Sequence, residues 1–417
     1  MSHPPKQGFV NLLQEFSVPL IMGVVAALVY ANVSGESWEQ YQELIHWLPF
    51  GDVAILGHAV DLHFLINDIF MVFFFGIAAK EITEAALPGG SLNPIKKAVN
   101  PLFATLGGVL GPVGFFFGAL YLAFSAGFFE GLDPAVVRNG WGIPTATDIA
   151  LAWLVARAVF GAGHPAVNFL LLLAVADDAI GLGIIAVFYG DPANPAEPTW
   201  LLLVLAGMGL AFALRKANVR TWLPYILVAG TMAWSGLLLA HLHPALALVF
   251  IVPFLPGPKL DAGLFLEEDD GDGQPSHAAV ASHSPLENYE HQTKLFVDIG
   301  LFFFAFANAG VQFAGIGAMT WIILGSLAIG KTIGITAFAL LGRLLGFPLP
   351  TGMGLKELLM AGYIAGLGLT VALFVAGAAF TDPELLGQAK MGALFSGFVG
   401  LTAILFGRML GLGRSRA

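Results

Sequence analysis

Residues 167–189 read Val167-Asn-Phe-Leu-Leu-Leu-Leu-Ala-Val-Ala-Asp177-Asp178-Ala-Ile-Gly-Leu-Gly-Ile-Ile-Ala-Val-Phe-Tyr189. A helix that crosses a bilayer needs about 20 mostly apolar residues, and this run is long enough. Its centre, where a charge is most costly, holds two adjacent carboxylates. The stretch therefore reads as a membrane helix with a polar function.

Working outward, similar apolar runs centre on 17–33, 63–79, 101–124, 141–160, 200–214, 222–239, 244–255, 295–313, 321–341, 358–380 and 389–406. With 167–189 this predicts an all-α polytopic membrane protein of about twelve transmembrane helices, forming a single integral membrane domain over 1–417. The runs are continuous, whereas a membrane β-barrel shows alternation in segments of about ten residues. Composition agrees: 57% of residues are hydrophobic and 11% charged, against about 25% charged in an ordinary soluble domain. A soluble enzyme, a disordered scaffold and a nucleic-acid binder are excluded on that ground. The chain has no cysteine, so disulfides, thiolate metal sites and cysteine nucleophiles are excluded too. No P-loop or Rossmann fingerprint is present to suggest ATP-driven transport or a nucleotide cofactor.

The net charge of −10 is local. Residues 256–292 hold Asp261, Glu267, Glu268, Asp269, Asp270, Asp272, Glu287 and Glu290 against Lys259 alone. Lys and Arg are retained in cytoplasmic loops, and with the N-terminus inside nearly all of them fall on that side. Only Arg138 and Lys390 are assigned to the opposite side, and Lys331 lies within a helix. Both termini and the acidic 256–292 loop are thus expected in the cytoplasm, and the Trp-containing segment 34–62 outside. With Lys6 as the only basic residue ahead of it, the first apolar run is expected to be an uncleaved helix.

Ionisable residues at bilayer depth mark function by default. Asp148 ends Trp141-Gly-Ile-Pro-Thr-Ala-Thr-Asp148 in helix 4, Asp177 and Asp178 lie in helix 5, and Lys331 lies in helix 10. The plain structural reading of Asp148 is a cap on a helix broken at Pro144. For the adjacent aspartates that reading is weaker. Neighbours on a helix point about 100° apart, so one counter-ion satisfies only one of them. Two carboxylates this close suit a site that takes up and releases protons. Helix 4 is interrupted by Gly142 and Pro144, and helix 11 by Gly366 and Gly368. Paired interruptions in oppositely directed helices predict an inverted-topology repeat with broken helices 4 and 11 crossing at the midplane. Asp148 and Lys331 would then balance the dipole ends exposed there.

At these residues the chain resembles the NhaA-type sodium/proton antiporters. The matching stretches are Ile66-Asn67-Asp68, Gly140-Trp-Gly-Ile-Pro-Thr-Ala-Thr-Asp148, Asp177-Asp178, His243, Phe304-Ala-Phe-Ala-Asn-Ala-Gly310, Gly330-Lys331 and Asp382-Pro-Glu384, in the family's order. The resemblance implies a secondary antiporter of the bacterial inner membrane, exchanging cytoplasmic sodium (or lithium) for external protons without a cofactor. It implies Asp178 as the main sodium ligand, Asp177 as the partner of Lys331, and Asp148 as the charge at the helix crossing with Thr147 beside it. The family's helix 2 ends Gly-Leu-Glu-x-Lys-Arg-Glu, where this chain has Gly76-Ile-Ala78-Ala-Lys80-Glu81-Ile82-Thr-Glu84. Both pH-sensing glutamates are therefore replaced in register. Glu81 and Glu84 are the displaced candidates, with Glu287 or Glu290 matching the glutamate before helix 9, and His243 a weaker candidate. The expected partners are sodium, protons and the lipid bilayer, with a homodimer contact through 34–62 and no nucleic acid.

The rival reading is an intramembrane aspartyl protease using Asp148 with Asp177 or Asp178. Its expected Gly-x-Gly-Asp sequence is missing, since Ala-Val-Ala precedes Asp177 and Ala-Thr precedes Asp148. A channel is disfavoured because Lys331 would repel cations in a continuous pore.

Overall fold

The computed structural model describes residues 18–88, 90, 92, 95–190, 195–257 and 284–412. Almost all of these are helical. The helices are α1 (Val18–Asn32), α2 (Gly35–Ile45), α3 (Leu62–Ala86), α4 (Ile95–Ser125), α5 (Pro134–Thr145), α6 (Ile149–Phe160), α7 (Pro165–Phe188) and α8 (Pro198–Lys216). They continue with α9 (Tyr225–Leu239), α10 (Pro244–Phe254), α11 (Pro285–Ala309), α12 (Ala318–Leu344), α13 (Leu355–Ile364), α14 (Leu369–Ala379) and α15 (Pro383–Met409). A two-stranded hairpin, Ala54–Ile55 with His58–Ala59, follows α2.

Among the described residues, six helices are long and apolar enough to cross a membrane: α3, α4, α7, α8, α12 and α15. The pairs α5–α6 and α13–α14 pass the same test together, but each is bent at a short break, by 50° and 49°. These are the two interruptions expected at Pro144 and at Gly366–Gly368. α1, α9 and α10 are apolar but shorter.

Helix starts follow local chemistry. Asp61 accepts the Phe64 N–H at 2.7 Å to cap α3, and His164 precedes Pro165 at the start of α7. Glu287 and Ser284 exchange side-chain-to-backbone bonds of 2.7 and 3.2 Å, which starts α11 well ahead of the apolar run at 295. The Asp382 carboxylate caps α15, so that helix begins before the 389–406 run. Lys390, assigned from sequence to the outer side, is a buried residue inside α15. The apolar run alone hides this polar first turn.

The chain divides into two compact units. One comprises 1–67, 99–192 and 298–417, and the other 68–98 and 193–297. The first holds both broken helices, and its tightest contact joins α4 to α12. A Cβ on Gly107 would overlap the Gly334 carbonyl, and one on Gly111 the Gly330 carbonyl. Glycines at this four-residue spacing let helix backbones touch, as is common where membrane helices associate. Just before Lys331, α12 widens into a π-helical turn over Ser326–Gly330, a feature frequent at functional sites. In the second unit, α3 packs on α11 through Gly76, whose missing side chain admits the Tyr289 ring; the Tyr289 hydroxyl donates to the Phe73 carbonyl at 3.1 Å.

The α4–α12 contact gives a paired test. Gly334→Leu drives a side chain into the Gly107 backbone, and the folded yield by detergent size-exclusion chromatography should collapse. Gly114→Ala on the same helix α4 meets open space; it should fold normally and gain up to about 1 kcal/mol from helix propensity.

Candidate functional site

Each break exposes helix-end groups that must be satisfied away from water. α5 closes as a tight three-residue-per-turn segment, Asn139–Thr145, and the chain then runs extended through Ala146 and Asp148 before α6 begins. The Tyr189 hydroxyl braces this end: it accepts the Gly142 N–H at 2.8 Å and donates to the Asn139 carbonyl at 2.7 Å. The second break runs from Ala365 to Gly368. A Cβ on Gly366 would come within 2.6 Å of the Leu327 carbonyl oxygen, and one on Gly368 within 3.1 Å of the Ala146 carbonyl oxygen. The two glycines are needed for close approach.

The breaks are tied to each other. The Asp148 N–H donates to the Leu367 carbonyl at 2.6 Å, and the Ala365 carbonyl lies 2.9 Å from the Thr147 hydroxyl. The Asp148 carboxylate accepts the Leu151 N–H at 3.1 Å, the Thr370 hydroxyl at 2.7 Å and the Thr370 N–H at 3.4 Å. One acidic side chain thus caps the N-terminal ends of α6 and α14, where the helix dipoles favour negative charge.

Lys331 occupies the opposite electrical end. Its ammonium donates to the Thr145 carbonyl at 2.9 Å and to the Thr147 hydroxyl at 2.8 Å, and pairs with Asp177 Oδ2 at 2.6 Å. Three N–H donors meet three acceptors. The side chains of Lys331 and Asp177 are both 0% exposed, so removal of either leaves an uncompensated charge that costs about 3–5 kcal/mol. The Thr147 hydroxyl also reaches Asp177 Oδ2 at 2.8 Å; its single proton has two acceptors within range, Asp177 and the Ala365 carbonyl. Thr147 is next to Asp148 in the chain, yet its side chain joins the Lys331–Asp177 pair. Asp178 follows on α7 and is partly exposed.

Asp148, Thr147, Asp177 and Lys331 therefore converge within one unit. Asp148 and Asp177 have separate hydrogen-bond partners, Thr370 and Leu151 for one and Thr147 and Lys331 for the other. The remaining candidates lie elsewhere. In the other unit, Lys80 is buried and pairs with Glu84 at 2.6 Å and with Glu290. Glu81 neighbours that cluster on α3. Glu287 caps α11, and His243 opens the Pro244 turn of α10. Residues 258–283, which include His277, His283 and most of the acidic segment, lie outside the described residues.

Two features escaped sequence reading. Sequence places Lys80 at the end of helix 2 without a partner, although its four-residue spacing from Glu84 is the signal of an ion pair along one helix face. Asn67 and Asn308, taken from two separate motifs, meet as a buried pair with an amide-to-amide bond of 2.8 Å. Asn67 Nδ2 also contacts the His63 ring at 2.7 Å, as their four-residue spacing allows, whereas nothing in the spacing of 67 and 308 foretold the amide pair.

Comparison with known proteins gives a consistent result. The chain is 57% identical over 401 residues to the Na(+)/H(+) antiporter NhaA of Geobacter metallireducens, covering 96% of this chain and 97% of that one. It is 57% identical over 405 residues to the protein of the same name from Geobacter sulfurreducens, covering 97% and 98%. Among solved structures, the sodium proton antiporter MjNhaP1 from Methanocaldococcus jannaschii shares the fold. The TM-score is 0.52 at 12% identity, over 96% of this chain and 92% of that one. The family described as Na+/H+ antiporter 1 matches residues 8–409, and the chain belongs to that family.

Proposed function

We propose that this protein is a secondary antiporter of the bacterial inner membrane that exchanges cytoplasmic sodium or lithium for external protons, moving unequal charge. The observation that carries this reading is the fully buried Lys331–Asp177 pair, held by Thr147 where two broken helices meet. A cation entering at Asp177 and Asp178 competes with Lys331 for the Asp177 carboxylate. Once its partner is taken, the desolvated ammonium is left without compensation and releases its proton. Asp148 keeps the two half-helices capped throughout and holds the frame in which this exchange runs. Sodium and protons are substrates, and no resident cofactor enters the scheme.

The same proposal takes the whole chain as one transporter of about twelve spans with an inverted repeat and both termini in the cytoplasm. The near-equal bends of α5–α6 and α13–α14 support it. A homodimer through 34–62 is supported by the hairpin segment, where Trp47, Phe50 and Leu56 are exposed. We assign the response to pH to the Lys80 cluster, with Glu84 and Glu290 as its partners and Glu81 beside it; Glu287 and His243 are secondary candidates outside that cluster. Its support is the direct ion pairing of Lys80 with both glutamates.

Reconstitution into proteoliposomes tests the exchange. Sodium or lithium added outside should drive proton movement in the parent protein. Asp177→Asn with Asp178→Asn should abolish it in the protein that folds, at a yield lowered by the loss of the Lys331 counter-charge, because an amide coordinates a cation only weakly and carries no exchangeable proton. Robust exchange in that double variant would overturn the site assignment.

Lys331→Arg keeps the charge but does not deprotonate, whereas Lys331→Ala leaves Asp177 and the Thr145 carbonyl unpaired. The Arg variant should fold better than the Ala variant yet lose its response to an imposed membrane potential. A parent-like response would make Lys331 purely structural.

Lys80→Met removes the ammonium shared by Glu84 and Glu290. The pH profile of exchange should move to more alkaline values, with the maximal rate changed less than the midpoint. An unmoved profile would place the pH response outside this cluster.

A further inference from the structure

The two oxygens of Asp177 have different surroundings. Oδ2 faces Lys331 and Thr147, whereas Oδ1 is buried with no hydrogen-bond partner among the described residues. A bare carboxylate oxygen away from water is costly. Facing it on α4 is Gly108. A Cβ built there would lie 3.6 Å from Asp177 Oδ1, 3.3 Å from Ile335 Cγ1 and 3.6 Å from Ile335 Cδ1.

The neighbouring glycines of α4 have a packing reason to be glycine, because the α12 backbone lies against Gly107 and Gly111. Gly108 has none. A methyl group would make ordinary contact with the carboxylate and need only a small shift of Ile335. Glycine inside a helix costs about 1 kcal/mol relative to alanine, and here it leaves a gap slightly too small for a methyl group, since a Cβ would press on Ile335 Cγ1 at 3.3 Å. One wall of the gap is an unsatisfied anionic oxygen and the other is the Ile335 side chain. Hard cations take oxygen ligands at short range, so an ion on Oδ1 and a side chain at position 108 would compete for the same space.

We propose that Gly108 is a specificity-determining residue: its missing side chain leaves room for a dehydrated monovalent cation on Asp177 Oδ1, and the size of that gap sets which alkali cation is carried. The inference rests on the antiport reading and adds to it a ligand atom and a size filter on α4. Asp177 then uses both oxygens, Oδ2 for Lys331 and Oδ1 for the cation. An ion arriving at Oδ1 draws on the charge that holds Lys331, so recognition and proton release meet in one carboxylate.

The test uses the purified full chain in proteoliposomes, with apparent KM measured separately for sodium and lithium. Gly108→Ala should raise the sodium KM by roughly tenfold, the low end of what one added carbon does in a fitted pocket. Lithium, being smaller, should suffer less, so the preference moves toward lithium. Ile335→Val opens the opposite wall without introducing a new contact and should move the preference toward sodium; it decides the matter if the alanine variant fails to fold. An unmoved sodium-to-lithium ratio in both variants, or equal weakening for both ions, would overturn the proposal and leave the gap as a place for water. A parent protein that exchanges neither ion would remove the antiport reading and this inference with it. A parent that exchanges both while the variants leave the ratio unmoved removes the inference alone.

Discussion

An ammonium and a carboxylate buried together at a break in the backbone set the terms for the rest of this structure. Neither charge is stable at such depth alone, and neither are the helix ends beside them. Lys331 answers both needs, because it pairs with Asp177 and donates to the last carbonyl of α5. Asp148 does the complementary work at the amide ends of α6 and α14. The unwound segments persist because opposite charges sit at opposite dipole ends, and the charges persist because the unwound segments supply their remaining partners.

This mutual dependence explains where small residues are needed. For Lys331 to reach Thr145 and Asp177, α12 must approach both the first break and α7. Gly107 and Gly111 let α4 lie against Gly330 and Gly334, which flank Lys331 on its own helix. Gly366 and Gly368 let the second break close on Leu327 and Ala146. The glycine content is therefore partly a requirement of the charged centre, beyond general membrane-helix packing. Gly108 differs from the others because it faces a polar atom where they face backbone.

The end of α3 carries a separate buried charge cluster. There Ala78 and Ile82 stand where the resemblance implies two glutamates, and Lys80 draws in Glu84 and Glu290. A buried cation between two carboxylates is a different electrostatic object from a set of glutamates alone. The proposed response to pH accordingly belongs to a cluster whose sign of charge is mixed, and its midpoint is a property of this chain's own arrangement.

What the sequence determined by itself was the medium and the costly residues. Long apolar runs require lipid, and Asp148, Asp177, Asp178 and Lys331 stand out because charge is rare there. Gly142, Pro144, Gly366 and Gly368 announce the broken helices, since local backbone preference is written in residue type. Which groups meet was decided only by tertiary structure. Asp148 finds its partner in Thr370, far along the chain, and Asn67 finds Asn308. The Thr147 side chain turns away from its neighbour Asp148 toward Asp177 and Lys331. Lys80 and Lys390, counted from sequence with the cytoplasmic and outer-side charges, are buried inside helices. The physical reason is that helical periodicity fixes which residues share a face, while the choice of opposing face depends on how closely backbones pack, and that is settled only when every helix is in place.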